Sequence, residues 1–152
     1  MDNASARSLW GDFLDTHLQY AFAKEPKVIA LSDEAEVADT LLKEVLTGNK
    51  KAISHSLLGL QLRKEPLPKI GDFTILTDSN GNAKCVLRTV AVRLVPFFSI
   101  RESYAQLSGI SSLDHWKSLH WEYFERELQP YGRKPVHSMV VVCEIYDKVF
   151  ER

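Results

Sequence analysis

An Asn-Gly pair between two apolar runs constrains this chain most, because it predicts a β-hairpin. The pair, Asn80-Gly81, accepts the positive φ angles that a tight turn needs. The run before it, residues 73–77, is β-branched and aromatic. The run after it, residues 83–95, is also apolar and stops at Pro96, which has no amide hydrogen for a sheet ladder. We therefore expect two antiparallel strands in the middle of the chain.

Amphipathic helices are predicted before the hairpin. Apolar side chains recur at helical spacing over residues 9–18, and Pro26 closes that segment. A second apolar stripe covers residues 37–46. Ser32 is the expected cap at its start, and Gly48 can end it in the left-handed conformation. The chain up to Gly48 is thus predicted to be helical.

Two further elements are predicted after the hairpin. Residues 112–128 show helical spacing and place Trp116, His120 and Phe124 on one face. Residues 139–150 are strongly β-branched, which favours a last strand long enough to pair centrally in a sheet. The predicted order is therefore helix, helix, hairpin, helix, strand.

Composition limits the class of protein. With 152 residues, 45% of them hydrophobic, and no linker, a single domain with its own core is expected over residues 1–152. No stretch approaches the roughly 20 apolar residues of a membrane span, and the start lacks the pattern of a secretion signal. No membrane partner and a cytoplasmic location are therefore expected.

Cys85 and Cys143 lie in apolar runs without a CxxC pair and are expected to be buried, reduced thiols.

The charge pattern bears on nucleic-acid binding. The net charge is −1, from 19 basic and 20 acidic residues, so the whole molecule does not attract a polyanion. RNA binding would need a local basic patch, and a solvated surface is the alternative interpretation of each basic group. The clustered basic residues are Lys50, Lys51, Arg63, Lys64 and Lys69, and later Arg126, Arg133 and Lys134.

Five segments, in order, resemble motifs of the longer bacterial ASCH proteins. Residues 48–50 (Gly-Asn-Lys) resemble the GxK element, and residues 66–72 resemble a PLPKxGD segment at an ungapped distance from it. Residues 85–90 resemble the C-V-I/L-x-T strand, residues 112–124 the S-L-x-x-W-x-x-x-H-x-x-x-F helix, and residues 140–144 the closing strand. The ordered set, and no single segment, carries the resemblance to the ASCH family.

The resemblance implies an α+β fold. It implies a PUA-like β-barrel of mixed or antiparallel strands over residues 48–152, with flanking helices and a helical region over residues 1–47. It also implies a cleft beside the GxK loop that binds RNA or a modified nucleoside, with Lys50 as its central residue. A lysine there can hold a phosphate or, if burial lowers its pKa, act as a base or nucleophile. The structural alternative is an exposed lysine at a helix end, and either Lys50 or Lys51 can face the cleft.

The chain departs from one pattern within the family. Some smaller ASCH enzymes that deacylate modified cytidine pair the lysine with a threonine three positions on and a later glutamate. Here Ile53 holds the threonine position, His55 holds a neighbouring serine position, and the uncharged residues 106–111 replace an acidic loop. The lost carboxylates weaken amidohydrolase chemistry and a metal site, so no metal or cofactor is assigned, and a divalent ion stays open. Glu102 and Glu144 are the candidate substitutes, of which Glu144 is better placed by resemblance.

The predicted site combines basic, nucleophilic and aromatic side chains. Metal-free RNA cleavage needs a base for the 2′-hydroxyl proton, an acid for the leaving oxygen and a cation for the phosphorane charge. The predicted catalytic residues are Lys50, Ser54, His55 and His120, and the predicted substrate-binding residues are Lys51, Ser56, Arg63, Tyr104, Tyr123 and Glu144. His120 shares a helical stripe with Trp116, so a structural core histidine is its alternative role.

Three functions follow from this site. The first is RNA binding, with ribonuclease activity at Lys50, and the second is an amidohydrolase acting on an N4-acylated cytidine. The third is a non-catalytic module that senses a nucleoside or an RNA. Lys50 in a small closed site near Glu102 or Glu144 would favour the nucleoside, whereas an open basic groove with Arg63, Lys64 and Arg133 would favour RNA. The oligomeric state does not follow from the sequence.

Overall fold

A computed structural model describes residues 1–152 and has an α+β architecture. The helices are α1 (Ala4–Thr16), α2 (Ala35–Leu46), α3 (Leu57–Leu62), α4 (Glu102–Leu107) and α5 (Leu113–Leu128). The strands are β1 (Lys27–Ile29), β2 (Ala52–Ser56), β3 (Phe73–Thr77), β4 (Ala83–Pro96) and β5 (Val140–Glu151). Short 3₁₀ turns cover Leu18–Tyr20, Phe97–Ser99 and Gln129–Tyr131.

The five strands form one mixed sheet in the order β1-β3-β4-β5-β2. β1 pairs with β3 in parallel, whereas β3 pairs with β4, and β2 with β5, in antiparallel fashion. The predicted α+β class, with mixed strand pairing and flanking helices, is confirmed. None of the helices is both long and apolar enough to span a membrane.

The predicted hairpin is confirmed, and its turn is held by an aspartate. β3 and β4 are antiparallel neighbours, and residues 78–82 connect them with a register irregularity at the end of β3. The Asp78 carboxylate accepts hydrogen bonds from the amides of Asn80 and Asn82, both at 2.9 Å, and these bonds hold the pKa of Asp78 below its usual value. Gly81 supplies the positive φ of +82° that a side chain would oppose.

The predicted start of α2 is wrong, whereas that of α5 is confirmed. α2 begins at Ala35 without a side-chain cap, and the Ser32 hydroxyl accepts the amide of Glu34 ahead of the helix. At α5, the Ser112 hydroxyl accepts the amide of His115 at 3.3 Å, which satisfies one free amide of the first turn.

Four elements were not predicted from the sequence. The first 47 residues, expected to be helical, also contain β1, and the region after Gly48 contains β2, α3 and α4. Residues 106–111, predicted as a loop, begin with the last two residues of α4. β2 was not predicted because its sequence, Ala-Ile-Ser-His-Ser, is rich in small and polar residues. In the structure every second residue of the strand is buried.

The chain divides into two compact units, and each has its own core. The first unit comprises residues 1–49, 70–90 and 146–152. In its core, α1 packs Leu9 and Phe13 against β-strand side chains such as Phe73, Ile75 and Val86. The aromatic ring of Phe13 lies 5.4 Å from that of Phe73 between centroids, and both side chains are buried.

The second unit comprises residues 50–69 and 91–145. Its core consists of side chains from the 3₁₀ turn after β4, from α4, from α5 and from β5: Phe97, Ile100, Ala105, Trp116, Phe124, Val141 and Cys143. This unit contains every predicted site residue. Cys143 here and Cys85 in the first unit are buried and free, as predicted.

Candidate functional site

Lys50 is the first residue of the second unit, two positions before β2, and its side chain is buried. Gly48 ends the preceding segment at φ +87°, as predicted, and the amide of Lys51 donates to the carbonyl of Leu107 at 2.7 Å. The Lys50 side chain is only 8% exposed, whereas Lys51 is exposed. The structure therefore turns the first of the two adjacent lysines inward. Burial lowers the pKa of Lys50 from 10.5 to about 8, because the charged ammonium is poorly solvated there.

The residues around Lys50 form a hydrogen-bonded group, the lysine cluster, made of Lys50, Ser54, Tyr104, Ser108, Trp116 and His120. The Lys50 ammonium donates to the Ser108 carbonyl at 3.5 Å. The Ser108 hydroxyl accepts from the Trp116 indole at 3.2 Å and donates to the Tyr104 carbonyl at 3.0 Å. The hydroxyls of Tyr104 and Ser54 lie 2.8 Å apart. α4 and the first turns of α5 thus hold the groups that surround the lysine.

Two members of the cluster stay neutral at physiological pH. Burial raises the pKa of Tyr104 well above its usual value, so its hydroxyl keeps its proton. Burial, together with the charge of Lys50, lowers the pKa of His120 to about 4. The His120 ring stacks on Trp116 with centroids 3.9 Å apart, and its Nδ1 lies 2.9 Å from the Trp116 carbonyl. Because a carbonyl oxygen only accepts, Nδ1 carries the proton of the neutral ring and donates it to Trp116. Little imidazolium is present at pH 7 to serve as a general acid.

His55 belongs to a different pair. Its Nε2 lies 2.8 Å from Oε1 of Glu144, and both side chains are largely buried. In the β2–β5 ladder Ile53 is opposite Glu144 and Ser54 is opposite Cys143. Successive residues of a strand point to opposite faces, so Ser54 and His55 face different sides of the sheet. Of the predicted catalytic residues, the structure places Lys50, Ser54 and His120 in the lysine cluster and His55 with Glu144.

Arg63 is paired with carboxylates. Its Nη1 lies 3.2 Å from Oε2 of Glu127, and its Nε donates to Glu65 at 3.0 Å. Glu127 was not predicted as a site residue, although its spacing of seven from His120 puts both on one helical face. Burial raises the pKa of Glu127, and its Oε1 is buried without a hydrogen-bond partner. Tyr123, predicted to bind substrate, is 41% exposed on the same helix.

Ser56 caps the short helix α3. Its hydroxyl accepts the amide of Gly59 at 2.9 Å and so caps α3. Ser56 is fully buried, and this capping role explains its place at the junction of β2 and α3.

Gly59 is expected to resist substitution. A Cβ at this position would lie 2.4 Å from Oε1 of Glu127, whose other oxygen is held by Arg63. We expect Gly59→Ala to lower the free energy of unfolding by about 1 kcal/mol, measured by urea denaturation. Displacing a carboxylate that Arg63 holds should outweigh the helix propensity that alanine gains. Gly11→Ala in α1 is the control, because nothing lies within 4 Å of that Cβ. It should raise stability by roughly 0.5–1 kcal/mol through helix propensity. A gain in stability for both variants would contradict the steric argument.

Two surface hollows lie elsewhere in the second unit. The basic hollow, about 620 Å³, is lined in part by Arg126, Arg133 and Lys134. The aromatic hollow, about 600 Å³, is lined in part by Phe98, Trp121 and His137. Neither of these two hollows includes Lys50. No group of three or more His, Cys, Asp or Glu side chains is arranged to hold a metal ion.

The five-stranded mixed sheet with its flanking helices defines an α+β protein. Residues 27–150 match the family model of the ASCH domain, so the chain belongs to the ASCH domain family. The recognition of this family from the ordered motifs is thereby confirmed. Among curated proteins, no sequence matches the chain.

Two solved structures are similar over nearly the whole chain. Protein EF3133 from Enterococcus faecalis V583, of family DUF984, has a TM-score of 0.88 and 29% identity, over 95% of this chain and 88% of that one. The ASCH domain from Lactobacillus crispatus JV V101 has a TM-score of 0.90 and 18% identity, over 97% of this chain and 95% of that one. The latter similarity establishes the fold.

Proposed function

We propose that the lysine cluster is a hydrolytic site for a nucleoside-sized substrate, with Lys50 as the proton acceptor. The observation that carries this proposal is the burial of Lys50, which brings its pKa to about 8. At pH 7.5 roughly a quarter of such an amine is neutral, compared with about a thousandth at the ordinary value of 10.5. A buried amine that is available as a base is a feature of catalytic sites more than of structural ones.

The reaction that suits this geometry is deacylation of an acylated amino group on a nucleobase, such as an N4-acylcytidine. The Lys50 amine takes a proton from a water molecule, and the resulting hydroxide adds to the acyl carbon. Collapse of the intermediate breaks the C–N bond, and the Lys50 ammonium returns the proton to the leaving amino group. The products are a carboxylic acid and the free amino-nucleoside. The neighbouring hydroxyls of Ser54 and Tyr104 can orient the substrate by hydrogen bonds.

RNA cleavage is the second candidate function. A neutral Lys50 amine can also take the proton of a 2′-hydroxyl, and three unpaired cations on the same unit favour contact with phosphates. We rank RNA cleavage second because Lys50 is buried, whereas a polynucleotide needs an open groove at the reacting group. The ion pairs of Arg63 with Glu127 and Glu65 also reduce the positive charge that a groove would need.

The test compares wild-type protein with Lys50→Met on a panel of N4-acylcytidines and on single-stranded RNA, followed by chromatography. We expect release of cytidine by the wild type and a loss of at least about 100-fold in the variant, the usual contribution of a general base. Lys51→Met, at the exposed neighbouring position, is the matched control and should retain activity. RNA cleavage that depends on Lys50, with no deacylation, would favour the second candidate. Turnover unchanged in a folded Lys50→Met protein would refute a catalytic role for Lys50.

A further inference from the structure

His120 has one hydrogen-bonding atom that the protein itself does not use. Its Nδ1 donates to the carbonyl of Trp116 at 2.9 Å, so the proton of the neutral ring is on Nδ1 and Nε2 is an acceptor. Nε2 makes no hydrogen bond within the protein. It also differs from the two buried side-chain atoms that lack a partner, Arg88 Nε and Glu127 Oε1, because it is not sealed from solvent. A small molecule can therefore reach this acceptor.

The ring of His120 is held in one orientation. It stacks on Trp116 with centroids 3.9 Å apart and an interplanar angle of 15°, and the Trp116 indole is anchored in turn by the Ser108 hydroxyl at 3.2 Å. Turning the ring over would break the bond to the Trp116 carbonyl. The lowered pKa of His120 also keeps the ring neutral at pH 7. Nε2 is therefore a fixed acceptor that cannot become a donor at this pH.

The other polar groups around Lys50 are less selective. The hydroxyls of Ser54 and Tyr104 lie 2.8 Å apart, and either one can be the donor, because a hydroxyl both donates and accepts. The Ser108 carbonyl already accepts from the Lys50 ammonium. A substrate with either a donor or an acceptor can satisfy the hydroxyls, whereas only a donor can satisfy Nε2 of His120.

The deacylation proposed above supplies a donor close to the reacting atoms. The charge of Lys50 contributes to the lowered pKa of His120, so the two side chains are near neighbours. A secondary amide carries an N–H beside the acyl carbon that is attacked. An ester or a tertiary amide has no such hydrogen, and it would leave the lone pair of Nε2 without a partner in the closed site.

We infer, on the basis of the proposed function, that His120 accepts a hydrogen bond from the substrate N–H and so restricts the site to secondary amides. The hydrogen is not transferred. It stays on the nitrogen as one of the two hydrogens of the product amino group, and the Lys50 ammonium supplies the other. His120 is thus a specificity-determining residue, and Lys50 alone exchanges protons with the substrate and water.

The test is the ratio of kcat/KM for N4-acetylcytidine to that for N4-acetyl-N4-methylcytidine, in which a methyl group replaces the amide hydrogen. We expect the wild type to prefer the secondary amide at least about 100-fold, because a site that pairs a substrate N–H rejects the analogue without it. His120→Phe keeps a ring that can stack on Trp116 but has no acceptor, so this preference should fall at least about 10-fold. His120→Gln, whose side-chain oxygen can accept, should retain part of the preference. His115→Phe, at an exposed histidine of the same helix, is the matched control and should keep all of it.

Two kinetic results would overturn the inference. Equal loss of both activities in a folded His120→Phe protein would show a structural role only. An unchanged preference in that variant would show that the methyl group is excluded by its size.

Binding separates this inference from the proposed function, because it needs no turnover. Calorimetric titration compares both nucleosides on Lys50→Met and on the double variant Lys50→Met with His120→Phe. The secondary amide should bind at least about 10-fold more tightly than the tertiary amide on the first protein and not on the second. That difference, without hydrolysis by the wild type, would refute the hydrolytic proposal and support the role of His120. Binding of neither nucleoside would overturn the role of His120 as well.

Discussion

Replacement of Lys50 by methionine is expected to stabilise the folded protein at neutral pH. Burial lowers the pKa of Lys50 from 10.5 to about 8, so the fold carries an ammonium that would be better solvated in the unfolded chain. At 1.36 kcal/mol per pKa unit, the penalty is about 3 kcal/mol. Methionine fills a similar volume without a charge, although it gives up the polar contacts of the ammonium, among them the 3.5 Å hydrogen bond to the Ser108 carbonyl.

The pH dependence of this gain has a definite sign. Between pH 8 and 10.5 the unfolded chain binds more protons at this position than the fold does, so the stability of the wild type rises with pH there. Below pH 8 both states are protonated and the full penalty is present. The advantage of Lys50→Met should therefore be largest at pH 7 and small by about pH 10.5.

Urea denaturation at pH 7, 9 and 10.5 measures both effects. Lys51→Met provides the control, because a substitution at an exposed position should change stability by no more than roughly 0.5 kcal/mol. A difference between wild type and Lys50→Met that does not vary with pH would show that the ammonium is not the cause.

Turnover by the wild type is expected to rise as pH increases through about 8, because only the neutral amine of Lys50 can accept a proton. Well below that value, each pH unit should raise kcat/KM about 10-fold. His120, with its pKa lowered to about 4, should add no inflection near pH 6.5.

Lys50→Arg tests the same point in a different way. A guanidinium stays charged across this range, so it can hold an anion but cannot serve as a base. We expect Lys50→Arg to be inactive from pH 6 to 9, measured as deacylation rates alongside the wild type. A flat profile in the wild type, or activity in Lys50→Arg, would mean that Lys50 acts only as a positive charge.

The two Lys50 predictions are linked, because the burial that destabilises the fold is the same burial that makes the amine a base. A residue that costs stability and is nevertheless present suggests a role in function more than in folding. Stability and turnover should therefore change in opposite directions when Lys50 becomes methionine.

Local signals explain what the sequence could predict. The hairpin around Asn80-Gly81 and the helix that starts after Ser112 depend on turn and capping residues close in sequence. β2 depends instead on its partner β5, almost 90 residues away, and its own sequence has little strand propensity. The element was missed for that reason.

The candidate site was predictable residue by residue but not as an arrangement. The GxK resemblance identified Lys50, whereas the choice between Lys50 and Lys51 needed the backbone register after Gly48. Glu127 reaches Arg63 only through the packing of α5 on α3, a contact that spans 64 residues of sequence. Such a contact leaves no periodic signal in a single chain.

The polar side chains of strand β2 lie on alternate sides of the sheet. Ser54 belongs to the lysine cluster, and the next residue, His55, belongs to the pair with Glu144. Neighbouring residues of β2 therefore belong to two separate environments, so a substitution at one of them need not disturb the other. A single-residue insertion or deletion in this strand would do the opposite, since it would exchange the two sets of side chains at once.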